Sequence, residues 1–217
     1  MTSNVTNRSS ARTAFAALLR AGLVGTGLPV QAVWEYQRAD FRGVWPVVLV
    51  SSSGASRTKL TRDTINHGKF LFNVDAFVLH SETPLQASNS PAAGSNVVIN
   101  ISDTSLFTVG GTALVFDGTR EETITINAIV ANVSVRAATL SNSYTVPFVQ
   151  SWTESQSEDT IDLIEKKIAD IVSDNYVTET PLLWIETDGD SIVDNMLVAG
   201  RIYRHENFKM RIQVLDN

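Results

Sequence analysis

At 217 residues, with 43% apolar and 18% charged side chains, the chain is long enough for one large domain or a domain with a sizeable insertion, and nothing in it argues for wholesale disorder. It has no cysteine, which excludes disulfides, thiolate nucleophiles and zinc-thiolate sites. The net charge of −6 is spread unevenly, +4 over residues 1–57, −2 over 58–148 and −8 over 149–217, and so acidic a C-terminal part argues against broad wrapping of DNA.

The opposite charge of the two ends reads either as pairing within the chain or as head-to-tail pairing between subunits. The longest apolar runs, such as Trp45–Val50, are far too short to span a bilayer. The opening MTSNVTNRSSAR lacks the apolar stretch of a signal peptide, so a soluble, intracellular chain is expected.

Residues 1–8 read as a frayed tail. From Ser10, ARTAFAALLRAGL brings Ala11, Ala14, Phe15, Leu18 and Leu19 to one helical face, with Ser9 or Ser10 as cap and Gly25 and Gly27 as terminators. Pro29 opens an extended segment in which Val33, Trp34 and Tyr36 favour strand. Asp40–Gly43 reads as a turn and Trp45–Val50 as a strand buried on both faces. Ser51–Ser56 (SSSGAS) is expected to be a polar loop; it matches neither the G-x-S-x-G nucleophile elbow nor a phosphate loop. Lys69–His80 follows as a strand with Phe70, Phe72, Val74, Ala76 and Val78 on one face, a natural antiparallel partner for 45–50.

At Pro84 the composition shifts. Leu85–Ser95 is small, polar and Pro/Gly-containing, as a linker should be. Strand signals then crowd together at 97–101, 106–117, 121–130 and 132–140, with turns at Gly110–Gly111, Asp117–Gly118 and Ala131–Asn132, and 143–149 leads out. Residues 86–148 are therefore expected to form an inserted β-module between the two parts of an α/β core, 1–85 and 149–217.

The clearest amphipathic helix is Ser157–Asn175. Ile161, Ile164, Ile168, Ile171 and Val172 form its apolar stripe, with Asp162, Glu165, Lys166, Asp170 and Asp174 mostly opposite. Ser157 is the expected N-cap, Glu158 and Asp159 suit the positive end of the helix dipole, and Pro181 forbids continuation. Leu182–Glu186, Leu197–Tyr203 and Asn207–Leu215 read as strands, with TDGDS a turn. The fold class expected is α+β, a mostly antiparallel sheet packed by two helices, with the small all-β module inserted.

No constellation for catalysis emerges, and neither an enzyme nor a cofactor is expected. His67, His80 and His205 are scattered, and solvated histidines are the expectation for His67, in a turn, and His205, in a hairpin. Asp188, Asp190 and Asp194 have calcium-loop flavour, but the glycine is misplaced and the twelfth-position glutamate is missing. Glu121 and Glu122 are strand neighbours that point to opposite faces, and Gly25-Thr26-Gly27 follows a helix rather than the strand a dinucleotide fingerprint needs.

The order of elements nevertheless resembles a known family. A strand Phe72–Leu79 (FNVDAFVL), a helix ED-x-I-D-x-I-E-x-x-I-A-D-I-V at Glu158–Val172, a Trp-bearing strand at Leu183–Ile185 and an exit Y-x-x-E-x-F-x-M-x-I-x-V at Tyr203–Val214 resemble the tail-terminator (tail-completion) proteins of long-tailed bacteriophages. The resemblance covers roughly residues 9–84 and 150–217 and leaves out the insert. It implies a hexameric ring, part of the virion and assembled in the host cytoplasm. Such a ring caps the tail tube, docks to the head connector and lets DNA pass without sequence-specific binding. Another neck or baseplate component is the nearest alternative. A different class of function is a binding module whose β-insert recognises carbohydrate or protein on a monomeric carrier domain. For a ring, the charge asymmetry makes Arg38, Arg42 and Arg57 on one side, and Asp188 and Asp190 on the other, the candidate subunit interface.

Overall fold

In the computed structural model, residues 7–59, 66–175 and 184–216 are described. The architecture is mixed α+β, mostly antiparallel sheets with two helices. The chain falls into two compact units, one running to His80 and resuming at Ser157, the other comprising Ser81–Gln156.

In the first unit, the helix α1 (Arg8–Leu23) is capped by Asn7, whose side chain accepts from Ser10 N at 2.9 Å, rather than by Ser9 or Ser10. Its inward stripe is Ala11, Phe15, Ala16, Leu19 and Leu23; Ala14 and Leu18 are only half-buried. The sheet order is β1 (Ala32–Trp34), β2 (Val47–Lys59), β3 (Asn66–Leu79), β12 (Arg201–Asp216) and β10 (Trp184–Thr187), and β11 (Ile192–Val198) also pairs with β12. β1 joins β2 in parallel, and the other pairs are antiparallel.

Alternation along β3 sorts the sheet into two faces. Phe72, Val74, Ala76 and Val78 are buried on the face that carries the helices, where Phe15 meets Phe72 with ring centroids 6.3 Å apart. The helices meet each other at Gly22, where an added Cβ would lie 2.5 Å from Ile171 Cδ1. On the opposite face Phe77 and Tyr203 pack around Phe41, with centroids 4.9 and 5.0 Å from it.

Several strands run longer than their apolar content suggests. Ser51–Ser56 is not a loop: β2 continues through it, paired to β3 at Ser51↔Asn73 and Ser52↔Phe72, with a bulge between Ser52 and Gly54. The ladder satisfies the backbone there whatever the serine propensity. Leu197–Tyr203 is not one strand either. Ala199 and Gly200, both with positive φ, make a tight turn that separates β11 from β12. Conversely, the segment read as Asn207–Leu215 belongs to a strand of 16 residues.

The helix α2 spans Glu154–Asp174 and starts three residues earlier than its apolar stripe suggests. Thr153 and Gln156 form its capping box: Gln156 N donates to Thr153 Oγ1 at 3.3 Å and Thr153 N donates to Gln156 Oε1 at 2.8 Å. Ser157 is fully buried, and its hydroxyl donates to Leu79 O at 2.9 Å. The buried stripe is Ile161, Ile164, Ile168 and Val172, with Ile171 half-buried.

The second unit holds one six-stranded sheet, in the order β4 (Leu85–Gln86), β9 (Phe148–Gln150), β6 (Thr112–Phe116), β7 (Glu121–Val130), β8 (Ser134–Leu140) and β5 (Gly94–Asn100). The supposed linker Leu85–Ser95 is part of it. Ala87 is buried with its N–H on Pro147 O at 2.7 Å, and Ser88 N reaches Asn100 O at 2.9 Å, so this segment lies between β9 and β5 and curls the sheet round its core. That core is Ile99, Val115, Ile124, Ile126, Val135, Leu140, Val149 and their neighbours. Of the segment 106–117 only Thr112–Phe116 is strand; the part before it turns, with Phe107 N on Thr104 O and Gly110 N on Ile126 O.

The position of Ser157 gives a direct test. Thr153→Ala should cost about 1 kcal/mol, the ordinary worth of a cap. Ser157→Asp, which would improve a true N-cap, should instead cost at least about 2 kcal/mol, because it sets a carboxylate against the buried Leu79 carbonyl. Urea unfolding of the two variants decides between the roles, and a harmless Ser157→Asp would return the helix start to Ser157.

Candidate functional site

The part of the first unit that stands out chemically is the ribbon of β11 and the start of β12. Its register runs from Ile192↔Asn207 through Asp194↔His205 and Leu197↔Ile202 to Val198↔Arg201. Apolar side chains are exposed along it: Leu197 at 70%, Ile192 at 58%, Ile202 at 50%, with Val193 and Met196 also open. β11 has β12 on one side and no strand on the other among the described residues. It carries neither Lys nor Pro to blunt that edge.

A buried polar cluster ties this ribbon to the sheet. His205 was expected to be solvated; it is instead buried, and its ring stacks on Phe77 with centroids 4.6 Å apart. Its Nδ1 lies 2.8 Å from Asp194 Oδ1 on β11 and its Nε2 lies 3.0 Å from Asp75 Oδ1 on β3. Asn207 Nδ2 also donates to Asp75 Oδ1, at 2.6 Å, while the buried Asp75 Oδ2 has no hydrogen-bond partner. Both ring nitrogens therefore face carboxylate oxygens, an arrangement only the doubly protonated imidazolium satisfies. Burial of the ring opposes its charge, but hydrogen bonds and attraction from Asp75 and Asp194 outweigh it and leave the His205 pKa above its ordinary value.

The neighbouring Glu206 points to the other face, towards α2. It is 2% exposed, and burial, with repulsion from Glu165 and Asp162, pushes its carboxyl up to about 7; a Ser191 hydroxyl and Arg204 pull the other way. Arg204 pairs with Glu158 of α2 at 2.9 Å.

The residues proposed from sequence for a subunit interface fall into separate settings. Arg38 lies with its guanidinium 4.0 Å over the Trp34 ring and 5.6 Å from the Tyr36 ring, within cation–π range of both. Arg42 is left-handed, its N–H donating to Asp40 Oδ1 at 2.8 Å. Tyr36, Arg38, Ala39, Asp40 and Arg42 line an open depression of about 500 Å³. Asp188 is held by Arg211, which also binds Glu186 Oε1 at 3.0 Å, and Asp190 is exposed in the same turn. The Arg57 and His67 side chains and residues 182–183 lie outside the described residues.

The calcium-like trio does not converge, since Asp194 goes to His205 and Asp188 to Arg211. Among the described residues no group of His, Asp and Glu is placed to hold a metal ion, and no helix is long and apolar enough to cross a membrane. Glu122 is occupied by the backbone, accepting from Ser141 N and Asn142 N at 2.8 and 2.9 Å.

Glu206 gives this site a measurable pH dependence. Between its unfolded value of 4.5 and its folded value of about 7, the native chain keeps a proton the unfolded chain has lost, so stability falls as pH rises through that window and levels off above it. Glu206→Gln removes the slope. Its stability relative to wild type should rise by roughly 2 kcal/mol between pH 5 and pH 8. Parallel stability curves for the two proteins would show that Glu206 ionises freely in the fold.

None of the protein-family models, curated proteins or solved structures compared with this chain matches it.

Proposed function

We propose that the chain is a structural subunit of a bacteriophage particle, a tail terminator whose copies close into a ring that caps the tail tube and meets the head connector. The observation that carries this reading is the exposed ribbon. An edge strand with open apolar side chains and no guarding charge is a liability on a monomer and an asset on a subunit that is always covered. A heterologous contact repeated around an axis generates a ring when its rotation closes. The charges at Arg38, Arg42, Arg57, Asp188 and Asp190 belong to the rim of such a contact. Arg38 and Asp188 are already engaged within the chain, so the apolar ribbon supplies most of the association.

Residues 86–148 are read as a β-module inserted into the α/β core. Leu79 and Ser157, where the chain leaves and rejoins the first unit, touch through the Ser157 hydroxyl, which is the arrangement an insertion between adjacent points requires. A second reading has its own support in the second unit. Val130 and Val133 flank the β7–β8 turn and are 54% and 55% exposed, a small apolar tip suited to a binding module that contacts carbohydrate or another protein.

Sedimentation velocity separates these readings. The wild-type chain should assemble with concentration into one closed species. The cross-strand double variant Leu197→Lys with Ile202→Glu keeps a favourable pair at Leu197↔Ile202 and should sediment as a monomer with an unchanged circular dichroism spectrum. Changing Val130 and Val133 to Ser should leave assembly untouched. A wild-type chain that stays monomeric at all concentrations sinks the ring.

Excision of Gln86–Phe148 with a short Gly/Ser bridge should leave a first unit that still unfolds cooperatively. Loss of cooperativity in that deletion would mean the β-module completes the core.

A further inference from the structure

We propose that His205, clamped as an imidazolium between Asp75 and Asp194, is a latch that holds the outer strand β11 against the sheet and releases it on deprotonation. The hold on β11 follows from the geometry within one chain. Its effect on assembly rests on the ring reading above, since the strand it controls is the one that reading places against a neighbouring copy.

The two sides of the clamp are unequal, and that inequality sets the direction of release. Asp75 is buried on β3; its Oδ1 is shared by His205 and Asn207, and its Oδ2 has no hydrogen-bond partner. Losing the proton at Nε2 would leave a buried carboxylate facing a ring lone pair, with only the neutral Asn207 amide still donating to it. Asp194 sits on the outermost strand with its side chain 54% exposed, so water can take over its oxygen. A neutral His205 therefore keeps Nε2–H on Asp75 and turns an unprotonated Nδ1 towards Asp194. The bond between β12 and β11 becomes a lone-pair contact against a carboxylate, while the bond between β12 and β3 survives.

The charged groups acting on the ring are Asp75 from β3 and Asp194 from β11. Phe77, against which the ring stacks, carries no charge, and Tyr203 lies edge-on to Phe77 on the same face. Arg204 and Glu206 alternate to the opposite face of β12. The bond to Asp194 is thus fully present below the ordinary imidazole range and is lost as pH rises through the raised pKa of the folded chain. The rest of the β11 attachment is an edge ladder to β12, in which the β11 side chains are mostly exposed and Arg204 Nη1 reaches Asn195 Oδ1 at 3.4 Å, so β11 draws on few buried contacts of its own.

Hydrogen exchange read by mass spectrometry on the full chain tests the latch. Exchange at the His205 C2 position gives its titration, and peptides covering 192–198 report the protection of β11 after correction for intrinsic rates. In wild type, β11 protection should fall about tenfold or more across the His205 titration, the worth of one charge-assisted hydrogen bond. In the Glu206→Gln background, which removes the pH dependence of global stability owed to that carboxyl, peptides from the β3–β12 ladder should change far less than those of β11. In Asp194→Asn, which keeps an acceptor but no charge, β11 should be weakly protected at both ends of the range. Unchanged β11 protection across the wild-type titration, or an equal fall in Asp194→Asn, overturns the latch. Sedimentation under the same conditions should show assembly weakening above the His205 titration. Assembly of equal strength on both sides, with β11 loosening as expected, overturns the coupling to assembly. A monomer at every pH with the latch intact overturns the ring reading and leaves the latch standing.

Discussion

β3 and β12 are paired without interruption from Leu79↔Tyr203 to Asn66↔Asp216, and every other part of the first unit takes its position from that ladder. β2 and β1 extend it on one side; β10 and β11 occupy successive stretches of the far side of β12. The helices cover one face because Phe72, Val74, Ala76 and Val78 present a continuous apolar strip there. The opposite face gains an aromatic cover from Phe41, but it also carries Asp75 in the middle of a buried strand. A buried carboxylate requires a donor, and a cationic one above all. Asp75 thereby dictates what can stand beside it, and His205 and Asn207 are the residues of β12 that answer. His205 and Asn207 put polar side chains beside Asp75 because of a demand that originates on β3, whereas Glu206 between them faces α2.

The two helices and the apolar centres of the strands were legible because their periodicity is local. Ile161, Ile164, Ile168 and Val172 mark α2 by spacing alone, and Phe70 to Val78 mark β3. What escaped was set by partners distant in sequence. The serines of β2 are strand because β3 lies alongside them, and the start of α2 is displaced because Ser157 is needed by Leu79. The Ala199–Gly200 turn had a local signal, a small residue before glycine between two apolar runs, that an unbroken strand reading overlooked. The histidine cluster joins residues 130 positions apart, which no spacing rule reaches. A local clue did exist: Asp75 is an acidic residue set among Val74, Ala76 and Phe77 in a buried strand, and such a residue implies a buried partner.

The edges of the two sheets show how unusual the ribbon is. β1 is three residues long, β10 four and β4 two, all too short to template another chain. The seven-residue β5 is interrupted by the left-handed Asn96. Only β11, among these edges, combines seven residues with open apolar side chains on both of its faces. Its lone charged side chain, Asp194, is turned to His205 and does not serve as a guard.

The contact between Leu79 and Ser157 also bears on how the chain finds its fold. The central ladder joins strands separated by more than a hundred residues, so a search for it from a fully open chain must close a long loop, at a cost that slows folding. The second unit draws its own ends together through Glu82 N on Trp152 O at 3.0 Å. Once that β-sheet has formed, the loop left to close is shortened to the residues outside it. The intervening unit, built on its own core around Val115 and Ile126, then lowers the loop-closure cost of pairing β3 with β12.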